Sequence, residues 1–215
     1  MSELRDRWAL VTGASSGIGA DFARELAARG THLVLVARRE ERLRALAEEL
    51  ERARGVRTRV VAADLSKPDA PRALHEQLRG EGVAVDVLVN NAGFGVYGPF
   101  LDVPWERHRQ MLELDVVALT HLTRLFAADM RARGFGRVLQ VASIGAFQPS
   151  PTYAAYAAAK AYVQSLGEAL ACELRGSGVT VTVVSPGVTE SEFFAVAGQQ
   201  RSLFQRLTIM PSAKV

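Results

Sequence analysis

Tyr156 and Lys160, in the run Tyr153-Ala-Ala-Tyr156-Ala-Ala-Ala-Lys160, are a proton donor and a cation one helical turn apart. An isolated phenol ionises near pH ~10 and an ammonium near ~10.4, so a cation held beside the phenol favours phenolate and brings tyrosine toward acid/base work at neutral pH. Positions i and i+4 share one helix face, so the spacing itself makes the contact. Lysine is scarce in this chain: Lys67, Lys160 and Lys214 stand against 23 arginines. The same spacing also suits a helix whose tyrosine merely packs and whose lysine is solvated, so the pair takes its weight from its surroundings.

Those surroundings are short apolar runs alternating with helical patterns. Trp8 to Val11 precedes Ile18 to Arg29; Leu33 to Ala37 precedes Glu40 to Ala53; Arg59 to Ala62 precedes Ala70 to Leu78. Then come Val85 to Val89, a helical stretch from Trp105 to Ala132, Val138 to Ala142, a helix from Tyr153 to Arg175, and Val179 to Val184. Continuously apolar strands separated by helices imply a parallel sheet covered on both faces. Right-handed crossovers make it doubly wound, with ligands at the carboxyl ends of the strands.

At 215 residues and 48% hydrophobic content the chain builds one core, and we read residues 1–215 as a single Rossmann-like α/β domain. The net charge of +3 is spread through acidic and basic residues of helical stretches such as Arg38 to Arg54, a pattern that speaks against nucleic acid. Cys172 lies in an apolar helical run and reads as a buried structural thiol in a reducing compartment. With no basic-then-apolar leader and no apolar run of 18 residues, the expected protein is soluble and cytoplasmic, without a membrane partner. His32, His75, His108 and His121 are scattered without ligand spacing, so no metal site is expected.

The glycine-rich run Thr12-Gly13-Ala-Ser15-Ser16-Gly17-Ile18-Gly19 follows the first strand and opens a helix, where backbone N–H groups can cradle a pyrophosphate. Asn90-Asn-Ala92-Gly93 ends the fourth strand, Ser143 the fifth, and Pro186-Gly187 the sixth. In this order, from about Trp8 to Gly187, the chain resembles the classical short-chain dehydrogenases/reductases. The resemblance implies oxidation or reduction of an alcohol/carbonyl pair with a nicotinamide cofactor. It makes Ser143, Tyr156 and Lys160 catalytic, Tyr156 giving a proton to the carbonyl oxygen and Lys160 also holding the nicotinamide ribose. It places Asn90, Ala92 and Gly93 beside the cofactor, Asn90 being partly structural as well, with Pro186, Gly187, Val188 and Thr189 passing the nicotinamide.

Arg38, followed by Arg39, ends the second strand where an acidic residue would take the ribose hydroxyl of NAD and an arginine the 2′-phosphate of NADP. NADP is therefore the expected cofactor, with NAD possible, although a surface arginine at a helix start would read the same. Asp64, next to Leu65, matches the position whose carboxylate faces the adenine; a turn or cap residue is the alternative. The departure from the family is Asp115, where asparagine is usual and helps hold a water connecting the lysine to solvent. A carboxylate adds charge and loses an NH₂ donor, which predicts slowed or altered proton relay and leaves a weak or inactive dinucleotide-binding relative as the alternative function.

Phe193, Phe194 and Phe204 suggest an apolar lid, within a lid region at 187–215, facing a wall of Phe94, Tyr97 and Phe147, with Tyr153 also in the wall; packing roles fit as well. The expected substrate is a small apolar ketone, aldehyde or alcohol. Family members usually continue through another helix and a seventh strand, so six strands with an exposed edge and a truncated end are expected, Pro211-Ser-Ala being a possible cut helix start. By resemblance, helices at Trp105 to Ala132 and Tyr153 to Arg175 pack against their copies in a homo-oligomer.

Overall fold

The computed structural model describes residues 3–189, 192–199 and 209–215. Six parallel strands, β1 (Trp8–Thr12), β2 (His32–Ala37), β3 (Thr58–Ala62), β4 (Val85–Asn90), β5 (Gly136–Val141) and β6 (Val179–Val184), form one sheet ordered β3-β2-β1-β4-β5-β6. The chain runs outward from β1 to β3, then crosses back so that β4 lies on the other flank of β1. That reversal opens a crevice between the ends of β1 and β4, the place where such sheets bind ligands.

Both faces of the central strands are apolar because alternate residues feed different cores. Leu10, Val34 and Leu88 pack with Leu74 and Leu78 of α3 (Ala70–Gly80) and with Leu122, Phe126 and Met130 of α5 (Leu119–Arg133). Ala9, Val11, Leu33, Leu35, Val87 and Val89 pack on the other face with α1 (Gly17–Ala28) and α2 (Glu40–Arg54). The 20-residue α6 (Ala154–Glu173) supports the β6 side through Val163 and Leu166 against Val183.

The single helix expected from Trp105 to Ala132 is interrupted. It comprises α4 (Trp105–Leu112), a π-helical turn over Glu113–Ala118, and α5. The wide turn carries Asp115 fully inside the protein, and its apolar neighbours keep helical spacing throughout, so the sequence pattern hides it. Cys172 is exposed, not buried. The alanine-rich α6 offers little contrast between faces, and Cys172 falls on the outer one.

Of the lid region, the short α7 (Phe193–Ala197) covers the crevice, whereas none of residues 209–215 lines it. Met210 N–H instead donates to Val188 O, and Ser212, opening a 3₁₀ turn at Ser212–Lys214, bonds Asp21 of α1. Phe204 lies outside the described residues. No helix among those described is long and apolar enough to cross a membrane.

Candidate active site

A crevice of about 510 Å³ at the carboxyl ends of the strands collects nearly all the predicted site residues. Gly13, Ser15, Ser16, Gly17 and Ile18 line it, as do Arg38, Arg39, Asp64, Leu65, Ala92, Gly93, Ser143, Tyr156, Lys160 and the run Pro186 to Thr189. Gly19, Asn90 and Asp115 do not.

The glycine loop leaves β1 through Gly13 at φ +68° and enters α1 at Gly17. Gly19 acts in packing: a Cβ there would meet Gly13 O at 2.4 Å. Thr12 Oγ1 donates to Val89 O and accepts from Asn91 and Ala92 N–H, and Asn91 Nδ2 donates to Thr12 O at 2.9 Å. The loop is thereby stitched to the end of β4. The first turn of α1 contains no acidic residue and its N-cap Ser16 hydroxyl makes no cap bond, so the helix start offers N–H groups and hydroxyls to an anion.

Asn91, which the motif contains but to which the sequence assigned no role, lines the crevice and bonds the glycine loop. Asn90 is buried, and its Nδ2 donates to Thr123 Oγ1 at 2.9 Å and Gln140 Oε1 at 3.1 Å. Gln140 Nε2 also donates to Thr123 Oγ1, which donates to Leu119 O. This polar knot ties β4, β5 and α5 behind the crevice. Both asparagines were visible in the motif; the fold separates them, Asn90 ending β4 inside the protein and Asn91 lying just beyond it at the crevice.

Beyond β3, Asp64 Oδ1 accepts from Ser66 N–H and Oγ, so the carboxylate is a turn cap and a crevice wall together. Burial works to raise its pKa, but Ser66, Arg38 and Lys67 outweigh burial and hold it below the usual range. Arg39 donates to Ser15 and Ser16 hydroxyls and to Glu192, a crevice residue with no motif to announce it.

At the reacting end, Ser143 leaves β5 in extended conformation and its Oγ accepts from Gly145 N–H at 3.1 Å. Lys160 is 4% exposed; Nζ donates to Val141 O at 3.0 Å, stands 3.2 Å from Asp115 Oδ2, and is 5.7 Å from the Tyr156 ring centre. Asp115 Oδ1 accepts from Phe94 N–H, while Oδ2 faces the ammonium as an ion contact outside hydrogen-bond angles. A Cβ on Gly93 would meet that carboxylate at 2.7 Å, so the glycine makes room for Asp115 as well as lining the crevice.

Lys160 acts on Tyr156 in the expected sense, but burial and Asp115 oppose it. Burial raises its pKa, Lys160 lowers it, Asp115 raises it again, and a Ser143 hydrogen bond only partly compensates; the net direction is up. Burial also raises Asp115 against the pull of Lys160. Lys160 is depressed by burial but lifted further by Asp115 and Tyr156, so it holds its proton. The arrangement is a protonated phenol beside a retained cation.

Tyr153, Phe94, Phe193 and Phe194 wall the space above Tyr156. Phe193 lies 5.2 Å from the Tyr156 ring and stacks on Tyr153 at 6.2 Å. Tyr153 donates to Gln199 Oε1, and burial pushes its pKa up to about 12. Tyr97 touches Tyr153 without lining the crevice, and Phe147 is 66% exposed and does not line it.

Residues 7–202 match the sequence profile of the short chain dehydrogenases. The chain is 37% identical over 193 residues to the 7beta-hydroxysteroid dehydrogenase of Collinsella aerofaciens, covering 88% of this chain and 71% of that enzyme. It spans 54% to 77% of the length of curated relatives it matches. The short-chain dehydrogenase of Sphingobium yanoikuyae in complex with NADPH superposes with a TM-score of 0.90 at 35% identity, over 97% of this chain and 80% of that one. The bulky-bulky ketone specific alcohol dehydrogenase of Comamonas testosteroni superposes at 0.84 and 31% identity, over 96% and 78%. The chain belongs to the short-chain dehydrogenase family of oxidoreductases.

Proposed function

We propose that this protein reduces a bulky apolar ketone or aldehyde, and oxidises the corresponding alcohol, with NADP in preference to NAD. The observation that carries the reading is the half-buried Tyr156 phenol one turn from Lys160, opening beside Ser143 into a crevice that also holds the glycine loop. The residues present suit a phosphorylated dinucleotide: an acid-free helix start with the Ser15 and Ser16 hydroxyls for the pyrophosphate, and Arg38 and Arg39 for a 2′-phosphate. NADPH in the Sphingobium relative supports the same choice.

When bound, the nicotinamide supplies or accepts the hydride. Ser143 Oγ orients the substrate oxygen, and Tyr156, held protonated by burial and Asp115, gives that oxygen its proton. Lys160, with one N–H on Val141 O and one edge on Asp115, keeps a third N–H for a ribose hydroxyl and stabilises the phenolate left behind. A raised phenol pKa suits the acid role, so reduction is favoured near neutral pH and oxidation gains as pH rises. Phe94, Tyr153 and Phe193 give the substrate an aromatic enclosure that excludes water, consistent with relatives named for hydroxysteroids and bulky ketones.

Tyr156→Phe tests the assignment: ketone-dependent NADPH oxidation falls by about 10²–10⁴-fold, while NADPH binding, followed by nicotinamide fluorescence, changes little. Near-normal turnover sinks it. The alternative of a catalytically weak relative draws on the buried Asp115 carboxylate, and substituting that residue separates the two. Exposed Trp105, Val117 and Tyr162 on α4, the π turn and α6 support a homo-oligomer, which light scattering after gel filtration measures. A cytoplasmic location belongs to the same proposal.

A further inference from the structure

Glu192, the residue before α7, divides its two oxygens between two arginines about 150 positions earlier in the chain. Arg39 Nη1 donates to Oε2 at 2.6 Å and Arg42 Nη1 to Oε1 at 2.8 Å. Arg39 spends its other N–H groups on the glycine loop, reaching Ser15 Oγ at 3.0 Å and Ser16 Oγ at 2.8 Å. Arg39 and Glu192 both line the crevice beside Arg38, and no described ion pair occupies Arg38. The carboxylate therefore sits on the guanidinium forks beside the pyrophosphate loop.

Arg42, with Arg39, holds the Glu192 carboxyl down to about 2, so it is ionised throughout the working pH range. The three side chains are 42–51% exposed, which leaves each ion pair screened and individually weak. A phosphate monoester, with nearly two charges and three acceptor oxygens, is a better match for arginine forks than one carboxylate. A weak internal anion on a site suited to a stronger one is a competitor.

Building on the reading of the crevice as a dinucleotide site, we propose that Glu192 is an internal occupant of an anion subsite formed by Arg38 and Arg39 with Arg42 beside them, which a ligand's 2′-phosphate must displace. Glu192 is thus a specificity-determining residue that narrows the preference for a phosphorylated cofactor. A ribose 2′-hydroxyl carries no charge and leaves the clasp closed. Because Glu192 adjoins Phe193, whose ring covers Tyr156, displacement also frees the start of the segment over the substrate space.

The test is calorimetric binding of NADP⁺ and NAD⁺ to wild type, Glu192→Gln and Arg42→Gln at low and high salt. Glu192→Gln is expected to tighten NADP⁺ about three- to tenfold at low salt, and less at high salt, with NAD⁺ changed less than about twofold. Arg42→Gln is expected to weaken NADP⁺ selectively. Opposite signs from the two variants exclude a merely structural clasp, whose loss would move both cofactors together. Parallel changes in NADP⁺ and NAD⁺, or none, overturn the proposal while leaving the cofactor site intact. Failure of wild type to bind either dinucleotide overturns both readings.

Discussion

Asp115→Asn removes one negative charge from behind Tyr156 and Lys160, the pair proposed to be catalytic, and leaves the side-chain shape nearly unchanged. Lys160 Nζ is 5.7 Å from the Tyr156 ring centre and 3.2 Å from the carboxylate, so Asp115 is no farther than about 9 Å from the phenol ring. At an effective dielectric of about 20, a unit charge at that distance costs a phenolate roughly 1.8 kcal/mol, a factor of about 20 in its equilibrium. Asp115 works to raise the Tyr156 pKa, so its neutralisation lowers the pH at which the phenol ionises. Alcohol oxidation, which in this proposal needs phenolate, therefore gains at a fixed pH below its plateau, by about 20-fold at that separation, and its ascending limb moves to lower pH. Ketone reduction, which in this proposal needs the protonated phenol, begins its alkaline decline at correspondingly lower pH. The assay is nicotinamide absorbance with a bulky alcohol and its ketone across a pH series, for both proteins. Unmoved limbs would show that Asp115 does not act on Tyr156. A shift to higher pH would mean that Lys160, stripped of its ion partner, gives up its proton, and the reasoning would fail.

Two further substitutions probe the scaffold. Gly178, at φ +80°, would place a Cβ 1.9 Å from Gly134 O, whereas Gly176, at φ +76°, has nothing within 4 Å. Gly178→Ala is expected to cost about 3 kcal/mol or more against about 1 for Gly176→Ala, at roughly 2–4 °C of melting temperature per kcal/mol; equal melts would refute the clash. Thr123→Val strips the buried knot of the oxygen that receives Asn90 and Gln140, and should lower stability by about 1–3 kcal/mol in denaturant titration. NADPH affinity should stay within about twofold, since the knot lies behind the crevice; a larger change would place Asn90 in the cofactor site after all.

Much of this molecule is legible in one dimension, and the exceptions share a cause. The strand positions, the six-stranded parallel sheet and the chain order of glycine loop, Ser143, Tyr156 and Lys160 follow from local pattern, because apolar runs and turn residues report their own environment. The break at Glu113–Ala118 escaped, because a π turn keeps the apolar spacing of the helices flanking it. Cys172 escaped because an alanine-rich helix has two similar faces. Asn90 keeps the structural part of its expected role in the buried knot, while Asn91, just past the end of β4, lines the crevice; which of the two neighbouring amides is buried depends on how β4, β5 and α5 pack, which local pattern does not carry.

The sequence by itself determined which groups are available: a phenol and an ammonium one turn apart, a hydroxyl at a strand end, a glycine loop, and arginines after the second strand. The tertiary structure decided their states. Whether Tyr156 tends to acid or base depends on burial and on the Asp115 carboxylate, which is 41 positions away in sequence but in the same buried cluster. Whether Arg39 and Arg42 meet a ligand as bare cations depends on Glu192, which arrives from the far end of the chain. Residue types fix the possible charges; distance and dielectric, which exist only in the folded chain, fix how strongly each is felt.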